Sequence, residues 1–198
     1  MEHRVGGAGT RAMNPMLRHL PNLLTALRLC AAPFTAYLIL GGRDWAALAV
    51  FAFAGLSDAL DGYLARRLAP DSRFGAYLDP AADKLLMLAS FVTLTMMGAV
   101  PFWLTALVIG RDVAIVACVG LSWLLAIPLR IEPLAVGKVS TVVQVGFIAL
   151  VLLLRAFDLE SPGAVEIAAV ATAAVTVASW LAYAQIWFRA MALGRRAA

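Results

Sequence analysis

Asp58, Asp61, Asp79 and Asp83 are the residues of this sequence best suited to chemistry: four carboxylates between positions 58 and 83, flanked by long apolar runs. Asp58 and Asp61 are three apart and Asp79 and Asp83 four apart, so each pair shares one face where the chain is helical. A charge isolated in hydrocarbon costs several kcal/mol, and something has to compensate these. Four like charges on neighbouring surfaces repel or take up protons unless cations sit between them. Oxygen ligands with no His or Cys nearby favour a hard ion, Mg²⁺, with Mn²⁺ as a substitute. Such a metal beside phosphate oxygens is the usual setting for phosphoryl transfer, which makes this a candidate diphosphate site.

The residues between the two pairs agree with that chemistry. Gly62, Ala65 and Gly75 remove side-chain bulk where a ligand approaches helix backbone, and Arg66 offers a forked donor to phosphate oxygens. Taken singly, the same features have plainer readings. Asp58 and Asp61 alone read equally as solvated residues at a helix end. Lys84 either contacts a phosphate or snorkels to headgroups. Arg111 and Asp112, adjacent inside an apolar run, either neutralise each other or serve a site. Asn22, Thr25 and Arg28 read as helix cap and packing, yet Arg28 lies deep enough to need a partner, a phosphate or an aspartate. His3 and His19 read as surface residues, and Trp45, Trp103, Trp123, Trp180 and Trp187 as an interfacial belt.

Membrane helices have to hold these carboxylates. Of 198 residues, 63% are hydrophobic and 14% charged, with a mean hydropathy of +0.87, against roughly half apolar and a quarter charged in soluble domains. At about 20 residues per crossing, the length suits one membrane domain, 16–198. Apolar runs at 22–41, 45–66, 75–97, 101–127, 139–155 and 163–188 predict an all-α polytopic protein with six transmembrane helices. The short connection after residue 66 makes the second and third antiparallel neighbours. Residues 1–15 read as a mobile tail, not a signal peptide, because the first apolar run is a full span. Met16–Leu20 reads as a short amphipathic segment along the headgroups before Pro21.

Six crossings put both ends on one side, together with Arg66, Arg67, Arg73, Arg130 and Lys138, against Arg43 and Arg155 opposite. The positive-inside rule makes the carboxylate side cytoplasmic. The net charge of +4 fits that distribution; no basic stripe with interleaved aromatics suggests nucleic acid. Cys30 and Cys118 lie in apolar runs without metal or redox spacing and read as packing residues.

The run DALDGYLARRLAPDSRFGAYLDPAAD resembles the signature of the CDP-alcohol phosphatidyltransferase family, DxxDGxxAR, eight residues, GxxxDxxxD, and agrees at every fixed position. PNLLTALR at 21–28 and GKVSTVVQ at 137–144 resemble the family's first-helix and fifth-helix entries. The resemblance implies that Asp58, Asp61, Asp79 and Asp83 bind one or two metal ions and that Asp83 is the general base. It implies that Asp58, Asp61, Gly62, Ala65, Arg66, Gly75 and Asp79 line the pocket for CDP, with CDP-diacylglycerol as donor. Lys138 then becomes a phosphate contact on the acceptor side, with Arg111 as a second acceptor-binding candidate. A homodimer is also implied.

Within the family, the runs FAGLSDALDGYLARR, LDPAADK, GRDVAIV and GKVSTVVQ look most like the branch that joins CDP-diacylglycerol to phosphatidylglycerol and makes cardiolipin. The alternative is the branch that uses glycerol 3-phosphate to make phosphatidylglycerophosphate. A small dianion calls for several convergent cations, whereas phosphatidylglycerol is a monoanion already anchored in the bilayer. Glycerophosphate-using relatives commonly read GRE with another arginine soon after; here Asp112 follows Arg111 and the next basic residue is Arg130. An ion or proton transporter is the reading from another class, but it predicts acids spread through the membrane rather than gathered around one loop. A bacterial inner membrane is the expected location, with a mitochondrial inner membrane as the alternative.

Overall fold

The computed structural model describes the backbone of residues 15–68, 75–124 and 134–197, and the side chains of 26–57, 82–122, 124, 134–189 and 191. The described residues form six helices: α1 (Pro15–Leu40), α2 (Asp44–Leu68), α3 (Gly75–Met96), α4 (Phe102–Leu124), α5 (Ala135–Ala156) and α6 (Pro162–Ala197). The expectation of an all-α fold therefore stands. Of the expected tail at 1–15, Pro15 opens α1 and the rest lies outside the described residues.

Three helices stop in the same way. At the end of α1, Gly42 takes a left-handed φ of 66°, its N–H donates to the Ile39 carbonyl, and the Arg43 N–H reaches back to Leu38. Gly98 repeats this after α3, with φ 72° and an Ala99 N–H bond to Leu94. Asp158 does so after α5, with φ 51° and a Leu159 N–H bond to Leu154. A left-handed residue lets two carbonyls at the helix end find donors, and glycine or a short polar side chain tolerates that backbone best.

The described core includes residues near this end of the bundle. Ile39 of α1, Phe51 of α2, Phe91 and Leu94 of α3, Leu104 of α4 and Ile148 of α5 are all buried. Phe91 stacks on Phe147 with ring centroids 6.0 Å apart. Arg155, at the end of α5, clamps Asp44 at the start of α2 through Nε to Oδ1 at 2.9 Å and Nη2 to Oδ2 at 3.2 Å. Trp45 and Phe157 meet edge to face beside the clamp, at 4.3 Å. α1 packs most extensively against α3 and also against α2; α5 packs on α2 and α6, and α4 on α6.

The outer faces are apolar: Phe53, Phe102, Val116, Ile167 and Phe188 are exposed. Such a surface belongs in lipid rather than water. Segments Phe102–Ser122, Ala135–Ala156 and Pro162–Arg189 are long and apolar enough to cross a membrane, while the described parts of α1 and α2 give the shorter apolar segments Ala26–Leu40 and Asp44–Ser57. The chain is an integral membrane protein.

Several expectations need correction. Met16–Leu20 is not a separate amphipathic segment, because α1 runs unbroken from Pro15 through Pro21. Proline removes one backbone donor, and α1 carries that loss near its N-terminal end without a break. α5 begins at Ala135, before the expected start at 139, and takes Gly137 and Lys138 into its first turn through bonds from both N–H groups to the Leu134 carbonyl. α6 extends to Ala197, beyond the apolar limit at 188. Hydropathy reports depth in lipid, whereas backbone hydrogen bonds set the helix end. Cys30 is exposed rather than packed, and Cys118 is half-buried.

Candidate active site

α2 carries Asp58, Asp61, Gly62, Ala65 and Arg66 on its C-terminal half; α3 opens at Gly75 and carries Asp79 and Asp83. Both acid pairs thus fall within continuous helix, at spacings that share a face. The side chains of Asp58, Asp61, Ala65, Arg66 and Asp79, and the surroundings of Gly62 and Gly75, lie outside the described residues. So do the side chains of Asn22 and Thr25, which α1 includes. Among the described residues, no three His, Cys, Asp or Glu gather to hold a metal.

Asp83 is described, and its partner comes from the first helix. Arg28 Nε lies 3.1 Å from Asp83 Oδ1, with the arginine side chain 2% exposed and the aspartate 37%. A buried guanidinium requires a counter-charge. Of the two partners the sequence left open for Arg28, the structure supplies the aspartate. Ala82, Leu86 and Met87 are buried around this point, where α3 packs on α1. The pair therefore sits at the edge of an apolar contact, with its carboxylate end accessible.

A groove of ≈ 670 Å³ lies between α1 and α2 beside this pair, lined among the described residues by Ala31, Phe34, Val50 and Phe53, with Leu27, Arg28 and Ser57 toward the carboxylate end. Ser57 immediately precedes Asp58. An apolar channel thus runs up to the carboxylate end of the bundle.

A second polar cluster joins three helices. Asp112 of α4 accepts from Lys84 Nζ of α3 at 2.5 Å and from Arg111 Nη1 at 2.7 Å. Arg111 Nη2 donates to Ser179 Oγ of α6 at 2.7 Å, and the Arg111 guanidinium carbon lies 5.7 Å from the centroid of the Tyr183 ring. Lys84 is therefore an ion-pair partner here. Arg111 and Asp112 do pair with each other, but they share that pairing with α3 and α6. Lys138 is exposed in the first turn of α5, beside Gly137, where an added Cβ would lie 2.6 Å from Tyr183 Oη.

Ser179 and Tyr183 escaped the reading of the sequence. Their signal is the four-residue spacing of two hydrogen-bonding side chains within an apolar stretch of α6, with Thr176 three positions before Ser179. The polar line continues there, since Gln144 Nε2 of α5 donates to Thr176 Oγ1 at 3.1 Å and to Ser140 Oγ at 3.3 Å. Among the described residues, the bundle thus has an arginine-paired carboxylate, Asp83, next to an apolar groove, and cations on α3, α4 and α5.

Comparison with known proteins follows the same lines. The pattern of the CDP-alcohol phosphatidyltransferase family matches residues 18–187. A cardiolipin synthase (CMP-forming) from Rattus norvegicus is 36% identical over 83% of this chain and 60% of its own length. A protein of the same description from Homo sapiens is 34% identical over 90% of this chain and 66% of its own length. The chain thus spans less than two thirds of either relative. A CDP-diacylglycerol--glycerol-3-phosphate 3-phosphatidyltransferase from Pseudomonas fluorescens is 44% identical over half of this chain and 53% of its own length. With all eight signature positions filled and the match running from α1 to α6, the chain belongs to the CDP-alcohol phosphatidyltransferase family.

Proposed function

We propose that this chain transfers a phosphatidyl group from CDP-diacylglycerol to phosphatidylglycerol, forming cardiolipin and releasing CMP. The observation that carries the reading is the signature spread over α2 and α3, whose last carboxylate, Asp83, is oriented by Arg28. Asp83 accepts the proton of the acceptor hydroxyl as the hydroxyl oxygen attacks the lipid-side phosphorus. The new P–O bond forms there as the bond from that phosphorus to the CMP oxygen breaks, and CMP leaves with the electron pair. Arg66 donates to phosphate oxygens, and Gly62, Ala65 and Gly75 keep the helix backbone open to CDP.

The family generally depends on a divalent metal. The donor set fits a hard ion, being oxygen alone, with Asp83 partly exposed beside an apolar groove. Asp58, Asp61, Asp79 and Asp83 would hold Mg²⁺ or Mn²⁺, as one or two ions, and such an ion would supply charge stabilisation to the diphosphate. The groove between α1 and α2 is suited to an acyl chain of the donor, because its described walls are apolar and reach Ser57, next to Asp58 in the sequence.

Arg111 and Lys138 are assigned to the acceptor side. Among the described residues the cation pattern supports phosphatidylglycerol: Arg111 shares its charge with Asp112, and Lys84 is held by the same carboxylate, a partly neutralised set better matched to a monoanion than to a dianion. The likeness to the Pseudomonas fluorescens protein favours a second reading, with glycerol 3-phosphate as acceptor. We further assign six membrane crossings, a cytoplasmic site on the side rich in arginine, a bacterial inner membrane and a homodimer.

The test is an acceptor comparison in liposomes containing CDP-diacylglycerol and Mg²⁺ or Mn²⁺, with lipid products and CMP followed by mass spectrometry. Cardiolipin from phosphatidylglycerol, lost on chelation and regained with metal, is the expected result. Phosphatidylglycerophosphate made only from glycerol 3-phosphate would transfer the assignment to the second reading, and no CMP with either acceptor would reject both.

A further inference from the structure

We propose that Tyr183 is a positioning residue that sets the spacing between Arg111 and Lys138. The inference rests on assigning those two cations to the acceptor. They come from different helices, α4 and α5, and Tyr183 of α6 is the side chain that meets both neighbourhoods. Its ring lies under the Arg111 guanidinium, with the guanidinium carbon 5.7 Å from the centroid, within the range of a cation–π contact. Its hydroxyl occupies the space that a side chain at position 137 would need: an added Cβ would stand 2.6 Å from Tyr183 Oη, 3.1 Å from Cε2 and 3.3 Å from Cζ. Lys138 is the next residue along.

Ser179, one turn earlier on α6, fixes the same guanidinium through Oγ at 2.7 Å from Nη2. Arg111 is thus held in two directions by one face of α6, and Asp112 takes a third through Nη1. Such a group loses little freedom on meeting an anion, so its placement governs how well it pairs with a second cation. Gly137 has a physical reason to lack a side chain. Any side chain there pushes the tyrosine off the arginine or pushes α5, with Lys138, away from α6.

The test uses the whole chain in liposomes with CDP-diacylglycerol and Mn²⁺, varying phosphatidylglycerol and donor separately. Gly137→Ala should raise the acceptor KM roughly tenfold and leave the donor KM within about twofold. Tyr183→Phe in the same chain should recover most of that loss, because it removes the oxygen at 2.6 Å and leaves ring carbons at 3.1 and 3.3 Å that need only a slight shift. Tyr183→Leu alone should raise the acceptor KM as Gly137→Ala does, and it carries the test if the alanine variant fails to fold. An unchanged acceptor KM in Tyr183→Leu, or an equal rise for donor and acceptor, overturns the proposal. Arg111→Ala and Lys138→Ala separate the two levels. If neither raises the acceptor KM, the acceptor assignment falls and this inference with it; if both do while Tyr183→Leu does not, only the positioning role fails.

Discussion

Arg28 Nε and Asp83 Oδ1 stand 3.1 Å apart and tie the first helix to the third at the carboxylate end of the bundle. On its described side the α1–α3 contact is apolar, with Ala82, Leu86 and Met87 buried, and the ion pair adds a fixed polar contact to it. An apolar interface has no direction of its own; a guanidinium and a carboxylate do.

Arg28→Ala therefore leaves Asp83 without that counter-charge. Because Asp83 is 37% exposed, the loss of stability is expected at about 1–3 kcal/mol, below that of a fully buried pair. Thermal unfolding in detergent checks this. Turnover should fall further than stability explains, and Arg28→Lys should restore the fold better than the rate, since a lysine keeps the charge but not the shape of the guanidinium that faces Asp83 through Nε. Full activity in Arg28→Ala would rule out any orienting role.

Asp83→Asn separates the proton-accepting role from packing. The amide has the shape of the carboxylate but no basic oxygen, so turnover should drop by about 10²-fold or more while much of the donor binding remains. CMP release and equilibrium binding of CDP-diacylglycerol, measured on the same preparation, decide the matter. Near-normal turnover would move the base elsewhere.

Sequence patterns revealed the acids but not their partners. Asp58, Asp61, Asp79 and Asp83 stand out because charges at fixed spacing inside apolar runs are costly. Arg28 and Arg111 stood out for the same reason. What the patterns could not give was the register between helices far apart in the chain, which alone decides that Arg28 meets Asp83 and that Arg111 meets Ser179, 68 positions later. Ser179 and Tyr183 are ordinary in a membrane helix until a neighbour brings a guanidinium to them. The segment Met16–Leu20 differs for another reason: a proline after it suggests a boundary, but α1 runs through Pro21 without a break.

Asp112 holds two cations, Lys84 at 2.5 Å and Arg111 at 2.7 Å. Asp112→Asn should leave both facing a neutral amide, with Arg111 only 6% exposed, and should cost about 2 kcal/mol in thermal unfolding. Lys84→Met in that background should recover part of the loss, because one of two neighbouring like charges is gone. Lys84→Met alone, at a half-exposed site, should cost under about 1 kcal/mol. A double variant less stable than Asp112→Asn would show that Lys84 acts through packing rather than charge.

The clamp between Arg155 and Asp44 tests whether stability and chemistry separate along the bundle. From Asp44 to Asp58 is roughly 21 Å of helix at about 1.5 Å per residue, so the clamp lies at the end of α2 remote from the signature acids. Its side chains are 24% and 15% exposed, and two hydrogen bonds join them. Arg155→Ala leaves Asp44 a largely buried carboxylate without its donor and should cost about 2–3 kcal/mol. The kinetic constants of the protein that remains folded should stay within about twofold of wild type, since nothing near Asp83 or Arg111 has changed. Asp44→Asn/Arg155→Gln, which removes both charges together, should be more stable than Arg155→Ala. A selective rise in acceptor KM in Arg155→Ala would instead mean that the α2–α5 contact transmits strain to Lys138 at the opposite end of α5.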